Sequence, residues 1–210
     1  MSNIKKHLKS TIIKLTVINL SLLFIGCQSK QEEWNNNLKK ALIVAENSNN
    51  IVDTIFLGFR YGMNKKEVDM HFANLMNAKK VYINKEGIGM YDFNAYKNTL
   101  KTSFNFQYYN DSLYQLSLIL KDEYSYSKES GFLCAIRAYE TLQERAKAEG
   151  YNSYIYDMFG NTEYYLIKGN SVIKFYGYAD RGIVEFTNQP IINKINKKER
   201  EKEKSTANDF

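Results

Sequence analysis

The chain has 210 residues, with 29 Lys plus Arg against 23 Asp plus Glu, which gives a formal net charge of +6. Four of these lysines and none of the acidic residues precede Cys27, so 25 basic and 23 acidic residues follow it. A nucleic-acid-binding protein needs a concentrated basic face, and this near balance argues against that class. One proline, 17 tyrosines and 12 phenylalanines predict a strand-rich globular protein and not a disordered one.

The N-terminal residues carry the pattern of an export signal. After the four lysines comes an apolar run from Leu15 to Ile25, which has the size of a secretory h-region. A membrane-spanning helix would need about twenty residues. The run ends in Phe24-Ile25-Gly26-Cys27, which resembles the lipobox of bacterial lipoproteins, with an apolar residue at the third place before the cysteine and a small residue directly before it.

By that resemblance, residues 1–26 are a lipoprotein signal peptide that is removed, and Cys27 becomes the acylated first residue. Several acyl chains hold a protein on a membrane without a transmembrane helix. The resemblance therefore implies a lipid-anchored protein of the bacterial outer membrane, on its periplasmic face or at the cell surface. An ordinary cleaved signal peptide and an uncleaved anchor are the alternatives. With Cys27 acylated, Cys134 has no partner for an intramolecular disulfide.

The rest of the chain divides into three parts. Residues 27–50 are predicted to be a polar tether, which reaches Glu33, followed by a short amphipathic helix. Residues 51–190 are predicted to form a single α+β domain that begins with a buried strand from Ile51 to Phe59. Residues 191–210 are rich in lysine and glutamate, which predicts a charged flexible tail or a frayed helix. The apolar stripe of the short helix comprises Trp34, Leu38, Ala41, Leu42 and Ala45.

Two further helices are predicted inside the domain. Asn64 followed by Glu67 is typical of a capping box, in which each side chain bonds an amide at the other's position. Ser130 to Glu149 has one apolar and one charged side, and Gly150 is the expected stop. The first of these helices follows a tight turn at Gly62.

The strands are predicted from alternation of apolar and polar residues. Phe104 to Tyr108 and Tyr114 to Leu120 alternate on either side of Asn110-Asp111, which predicts a hairpin. Turn residues separate the other predicted strands from one another. These are Lys80 to Ile83, Ile88 to Phe93, Tyr154 to Phe159, Glu163 to Lys168, Ser171 to Tyr178 and Ile183 to Phe186.

A helix followed by an antiparallel meander thus occurs twice, in Asn64 to Asp122 and in Ser130 to Asn188. This order predicts an α+β fold in which helices cover one face of antiparallel sheet, with two helix-plus-meander repeats. Gly62-Met-Asn-Lys-Lys-Glu-Val68 and the hairpin after it are similar to outer-membrane lipoproteins of the SmpA/OmlA type and to relatives with a β-lactamase-inhibitor-like fold. The similarity implies a binding or assembly role without catalysis.

The residues that carry chemistry do not form a recognisable active site. His71 is the single histidine after Cys27, and one imidazole without other ligands at metal-binding spacing does not define a metal site. Cys134 lies among apolar residues, where a cysteine behaves as a small hydrophobe. Motifs of hydrolases, phosphate binding and dinucleotide binding are absent. We therefore predict no enzyme activity, no cofactor and no metal.

Tyrosine is the surplus that indicates a function. Neighbouring residues of a strand point to opposite faces, so some tyrosines should face away from the helices. Exposed aromatic side chains serve protein or sugar recognition, whereas the alternative is that tyrosine simply favours half-buried strands. The candidate binding face comprises Tyr109, Tyr156, Tyr165 and Tyr176.

Three functions follow from these patterns. The leading hypothesis is a non-enzymatic binding or assembly lipoprotein of the envelope, which anchors to the membrane through its N-terminal lipid and binds another macromolecule, a protein or a glycan, through the outer face of its sheet. A surface carbohydrate-binding lipoprotein is the second. A hydrolase with a carboxylate pair is the third, for which the acidic candidates are Asp92, Asp111, Asp122, Glu123, Asp157 and Glu163.

Overall fold

The computed structural model of the chain describes residues 30–95, 98–122, 128–158 and 161–207. Within them, four helices pack against one antiparallel sheet of eight strands. The helices are α1 (residues 30–46), α2 (Lys65–Asn77), α3 (Lys128–Ala148) and α4 (Gln189–Ala207). The strands are β1 (Tyr82–Ile83), β2 (Gly89–Ala95), β3 (Asn98–Tyr109), β4 (Ser112–Lys121), β5 (Asn152–Met158), β6 (Asn161–Lys168), β7 (Ser171–Tyr178) and β8 (Arg181–Asn188). The α+β prediction is confirmed.

The sheet consists of two meanders joined at their last strands. Its strand order is β1-β2-β3-β4-β8-β7-β6-β5, with β4 and β8 paired antiparallel at the centre. We call α2 with β1 to β4 the first unit, and α3 with β5 to β8 the second unit. Both units have a helix followed by four strands, so the two-part order expected from the sequence is present in the fold.

The face of the sheet that lies against α2 and α3, called here the inner face, carries the main core. Its apolar side chains follow the period of two expected for strands, and they meet across strands at registered positions such as Leu118 with Val184. Phe59 is fully buried and fills the space between α2 and β3. Other fully buried side chains of this core are Leu100, Leu113, Leu116, Leu118, Leu120, Leu166, Phe175 and Val184.

The start of α2 agrees with the capping box. The Glu67 amide donates to Asn64 Oδ1 at 2.9 Å, and the Asn64 amide donates to Glu67 Oε2 at 2.8 Å. Gly62 has φ of +88°, a conformation that favours glycine, and its amide donates to the Leu113 carbonyl at 2.9 Å. The turn before α2 is therefore tied to the first residues of β4.

The β3–β4 hairpin forms as the alternation predicts. Asn110 and Asp111 have φ of 49° and 61°, and two consecutive left-handed residues are the mark of the type I′ turn, whose twist matches that of the strands. One register shift follows Gln107. The rest of the hairpin pairs continuously, so alternate side chains of β3 and β4 reach the same face.

Helix α3 ends at Gly150, as expected. The Tyr151 amide donates to the Ala146 carbonyl and the Gly150 amide to the Lys147 carbonyl, at 2.9 and 3.0 Å. Gly150 has φ of +89°. This pattern is a Schellman motif, which satisfies two carbonyls at the end of the helix.

Helix α1 packs on the other face of the sheet, called here the outer face. Leu38 and Ala45 are buried against Ile167 and Val172 of the second unit. Residues 30–33 belong to this helix and not to the predicted tether. Cys27 and the rest of the proposed leader lie outside the described residues.

Two predictions at the borders of the domain are corrected. Ile51 to Phe59 is not a strand: a short 3-10 turn spans Phe56–Gly58, and Leu57 and Gly58 have φ of 55° and 83°. These positive φ values reverse the chain, so that the Ile55 amide donates to the Phe59 carbonyl at 2.7 Å. At the other border, of the two alternatives for the charged C-terminal segment, the structure has the helix, α4.

Candidate functional site: the open face of the sheet

The outer face has a covered and an uncovered half. Helix α1 lies over β5, β6 and β7, and α4 approaches the outer face at Tyr109 of β3. Among the described residues, no apolar cluster joins a helix to the outer face at Ser103, Ile119 and Ile183. We call the uncovered half, with the adjoining end of β7, the open face. Its side chains follow from the register, because cross-strand partners share a face.

An apolar row lies at the centre of the open face. Ser103 pairs with Ile119, Ile119 with Ile183, and Ile183 with Tyr176, so these side chains are neighbours across four strands. Both isoleucines and Tyr176 are half-buried. Apolar side chains surrounded by polar ones form the usual centre of a protein-binding surface.

One side of this row has a charged pair on β2 and β3. Lys101 Nζ lies 3.0 Å from Asp92 Oδ1, and the Tyr82 hydroxyl donates to the same oxygen at 2.9 Å. Partial burial opposes ionisation of Asp92, but the hydrogen bonds from Lys101 and Tyr82 outweigh it and lower the pKa of this carboxyl. The pair is therefore charged at neutral pH, as a polar rim requires.

The opposite side of the row has a linked set of charges on β6, β7 and β8. Lys174 Nζ lies 2.8 Å from Glu163 Oε1 and 4.6 Å from the centre of the Tyr176 ring. The Tyr176 hydroxyl donates to Glu185 Oε1 at 2.9 Å. Burial and the neighbouring Glu185 raise the pKa of Tyr176, so its phenol stays neutral and remains a donor.

The four tyrosines predicted to form a binding face all lie on the outer face, but they have different surroundings. Tyr165 is only 8% exposed because α1 covers it, and its hydroxyl donates to Glu163 at 2.5 Å. Tyr156 is half-buried at the same helix. In this structure Tyr165 is therefore core, and the prediction that it is a surface residue is wrong because the sequence did not show where α1 packs.

The other two tyrosines lie on the uncovered side. Tyr176 belongs to the apolar row, and Tyr109 lies at the end of β3, where Lys198 of α4 approaches its ring to 5.2 Å. One face of each ring thus has a lysine against it. Tyr176 and Tyr109 therefore do not form a row of free, coplanar rings.

His71 and Cys134, the two residues considered first for catalysis, pack inside the fold. His71 Nε2 donates to the Leu57 carbonyl at 2.9 Å, and the His71 ring packs edge-on against Phe59 at 4.7 Å. Cys134 is fully buried, and burial raises the pKa of its thiol, with a smaller contribution from Asp122. A buried, protonated thiol is a poor nucleophile.

Three of the six acidic candidates are engaged in ion pairs. Asp92, Glu163 and Asp122 bind Lys101, Lys174 and Arg137 respectively. Asp157 has one buried oxygen without a hydrogen-bond partner among the described residues. Glu123 lies outside them. No group of three or more metal-ligating side chains occurs in the described ranges.

The apolar row was missed by sequence reasoning, although a signal for it exists. Ile119 and Ile183 occupy the polar phase of their strands, whereas their neighbours Leu118 and Val184 belong to the phase that enters the core. An isoleucine among serine, lysine and glutamate positions marks a sheet face that is not purely solvated. The large number of tyrosines is the more conspicuous feature of the sequence, so this signal is easily overlooked.

Among the described residues, no helix combines the length and hydrophobicity needed to cross a membrane.

A scan against protein-family models, a search of curated proteins and a search of solved structures each found no match to this chain.

Proposed function

We propose that this chain is a lipid-anchored, non-enzymatic lipoprotein of the bacterial cell envelope that binds or helps to assemble another protein through the open face. The observation that carries the proposal is the combination of the Gly26-Cys27 ending of the export signal with a half-exposed apolar row on the sheet. The outer membrane is the proposed address, by the resemblance to its lipoproteins.

The position of α1 supports the anchored arrangement. Residue 30 already belongs to the helix, and only Gln28 and Ser29 lie between it and Cys27 in the sequence. An extended chain spans at most about 3.6 Å per residue, which limits the distance from the lipid to the helix to roughly 10 Å. A body held so close to the bilayer has its orientation restricted, and the open face stays directed to one side of the molecule.

The layout of the open face supports protein binding. Its apolar centre consists of Ile119, Ile183 and Tyr176, and its rim consists of the pairs Lys101–Asp92 and Lys174–Glu163. A buried apolar centre supplies most of the affinity at such surfaces, while the charged rim orients the partner.

The anchor is tested by metabolic labelling with a palmitate analogue. The wild-type chain should incorporate label and stay in the membrane fraction, while Cys27→Ser should lose both properties. Cys134→Ala is the matched control, because it removes the other cysteine and should leave labelling unchanged. Retention of label by Cys27→Ser, or an unacylated protein that still begins with Met1, would contradict the proposed anchor.

The open face is tested by affinity purification from native membranes after crosslinking. Ile183→Glu places a charge in the apolar row and should reduce recovery of a partner at least tenfold, which corresponds to about 1.4 kcal/mol of binding free energy. Leu133→Glu is the control, because Leu133 is 46% exposed on α3, away from the open face. Equal loss in both variants would contradict a role for the open face.

The carbohydrate alternative is decided by the same protein on a glycan array. Sugar recognition uses the faces of aromatic rings, and Lys174 and Lys198 already lie against Tyr176 and Tyr109. We therefore expect no glycan signal above that of Tyr176→Ala. A signal that Tyr176→Ala abolishes, without any protein partner in the purification, would replace protein binding by carbohydrate binding.

A further inference from the structure

The free edge of the sheet at β5 is partly closed by a side chain. Asn35 of α1 donates through Nδ2 to the Asp157 carbonyl at 3.2 Å and accepts from the Asp157 amide at 3.3 Å. Gln31 donates to the same carbonyl at 2.8 Å. The carboxamide of Asn35 thus takes the place that a residue of a neighbouring strand would occupy.

These bonds show which backbone groups of β5 point away from the sheet. In an antiparallel pair, residues alternate between those bonded to the partner strand and those directed outward. The β5–β6 register is continuous from Asn152 to Met158, so Ser153 and Ile155 share the outward orientation of Asp157. Within the described residues, their outward amides and carbonyls have no assigned partner.

A groove of about 830 Å³ lies along this part of the edge. It is bounded on one side by a stripe of α1 and on the other by Tyr139 of α3. The α1 stripe includes two exposed apolar side chains, Trp34 at 42% and Val44 at 70%. An edge strand with unpaired backbone beside apolar side chains is the arrangement that accepts an added strand.

The charge in the groove limits what can bind there. Lys40 and Lys168 both line it, and none of its lining residues in the described part of the chain is a carboxylate. Lys168 Nζ donates to the Glu149 carbonyl at 2.6 Å. This bond holds the charged end of Lys168 beside the groove. An occupant that carries acidic side chains would complement these lysines.

We infer that the β5 edge is a docking site for an extended, acidic segment of another protein, which adds a ninth strand next to Ser153 and Ile155. Backbone hydrogen bonds to these two residues hold the segment, and Trp34 and Val44 contact its apolar side chains. Asn35 stops the added strand at Asp157. The site is separate from the open face and requires neither that face nor the lipid anchor.

A second copy of this chain fits the edge less well. If β5 paired antiparallel with β5 of another molecule, Ser153 of each copy would lie opposite Ile155 of the other. The same pairing would bring the Lys40 and Lys168 side chains of both copies close together. Like charges placed opposite one another oppose association. The charge of the groove therefore favours an acidic segment.

The experiment is a selection from a phage-displayed library of random 12-residue linear peptides on the full processed chain in detergent. Peptides rich in Asp or Glu and in β-branched residues should be enriched. Binding of a selected peptide should slow amide hydrogen exchange at Ser153 and Ile155 at least tenfold. Asn152 and Tyr154, whose amides already face β6, should change little.

Two matched pairs of variants test the mechanism. Ser153→Pro removes an outward amide that the fold does not use and should weaken binding at least tenfold, whereas Ser153→Ala keeps the amide and should bind normally. Lys40→Glu should weaken binding about threefold to tenfold, whereas Lys39→Glu, on a neighbouring exposed position outside the groove, should not.

Three results would overturn the inference. These are selected peptides that bind Ser153→Pro as well as wild type, enrichment of basic in place of acidic peptides, and a peptide-free dimer in light scattering whose interface protects Ser153 and Ile155. Thermal unfolding of each variant checks that the fold persists. Because the readout is the β5 edge, a failed Ile183→Glu experiment at the open face leaves this result unaffected.

Discussion

The two units of the molecule hold their helices in different ways. In the second unit, the N-terminal half of α3 lies directly on strand backbone: a Cβ on Gly182 would come within 2.7 Å of the Ala135 amide nitrogen, and one on Gly177 within 2.7 Å of the Phe132 amide nitrogen. In the first unit, α2 rests on aromatic side chains, with Phe72 edge-on to Phe104 at 5.6 Å. Helix α3 thus packs closely on glycine backbone, and helix α2 packs on aromatic rings. We call these contacts the glycine seat of α3 and the aromatic seat of α2.

The outer faces of the two units differ as well. Leu38 and Ala45 of α1 cover the second unit and convert Tyr165 into a core residue. In the first unit α4 approaches the end of β3 at Tyr109, and Ile119 remains half-buried. The same order of elements has thus produced a packed half, whose outer face is covered by α1 over β5 to β7, and a half whose outer face stays partly exposed at Ile119. This contrast can be tested element by element.

The largest effect is expected from the aromatic seat of the first unit. Phe59 is fully buried, and its ring lies 4.7 Å from that of His71 and 5.0 Å from that of Phe106. Phe59→Ala should lower the free energy of unfolding by about 3–5 kcal/mol, because it removes buried area and leaves a cavity. Urea unfolding followed by circular dichroism measures this change.

The control for Phe59→Ala lies on the same unit. Met70 of α2 is 61% exposed, so Met70→Ala should change the free energy of unfolding by less than about 0.5 kcal/mol. A loss below about 1 kcal/mol for Phe59→Ala would mean that the first unit does not depend on its aromatic seat.

The packed half should lose stability in alkaline solution. Burial raises the pKa of Tyr151, and burial together with Glu163 raises the pKa of Tyr165. A neutral phenol is favoured in the folded protein, so this stability is fully present below the unfolded pKa near 10 and is lost as pH rises through the folded pKa. For Tyr165 the loss is about 1.4 kcal/mol for each pH unit above 10, and Tyr151 adds to it in the same direction.

Denaturant unfolding between pH 8 and pH 11 measures this loss, with phenolate absorbance as the second signal. Phenolate from Tyr165 should appear only with unfolding. In Tyr165→Phe, the decrease in the free energy of unfolding with pH should correspond to about one proton less than in wild type. This variant should still be folded at pH 8, so that its unfolding can be measured there. A slope that is identical in wild type and Tyr165→Phe would show that Tyr165 ionises freely in the folded chain.

A matched pair of glycines compares the two seats directly. Gly182→Ala should lower the free energy of unfolding by about 2 kcal/mol, because the new methyl group meets backbone of α3 that cannot move aside. Gly89→Ala in the first unit meets only the Phe72 ring, which can turn at a cost of about 0.5–1 kcal/mol. Equal losses would remove the distinction between the two helices.

The sequence predicted well what depends on near neighbours. Alternation and Asn110-Asp111 determined the β3–β4 hairpin, and Gly150 determined the end of α3, because each signal lies within a few residues of its structure. The order of helices and meanders also indicated the α+β class. Such local rules do not depend on which elements later meet.

The failures share a non-local cause. The stripe containing Leu38 showed that α1 is amphipathic, but nothing in it indicated that its partner is the outer face of β6 and β7, so Tyr165 was taken for a surface residue. The segment from Ile51 to Phe59 has strand composition, yet it reverses at Leu57 and Gly58 because Phe59 must enter the core. Pairing of β4 with β8 likewise joins distant parts of the chain.

The smallest effect is expected at the start of α2, where the first unit depends on a local signal. Asn64→Ala removes the acceptor of the Glu67 amide and one half of the capping box, which should cost about 1 kcal/mol and lower the melting temperature by about 2–4 °C. Asn47→Ala is the control, because Asn47 donates only to an exposed carbonyl of its own helix. Since α3 is held by close contacts with β7 and β8, hydrogen exchange should increase in α2 of Asn64→Ala and stay unchanged in α3. An equal increase in both helices would mean that the two units unfold as one, and that the contrast between them is one of packing and not of stability.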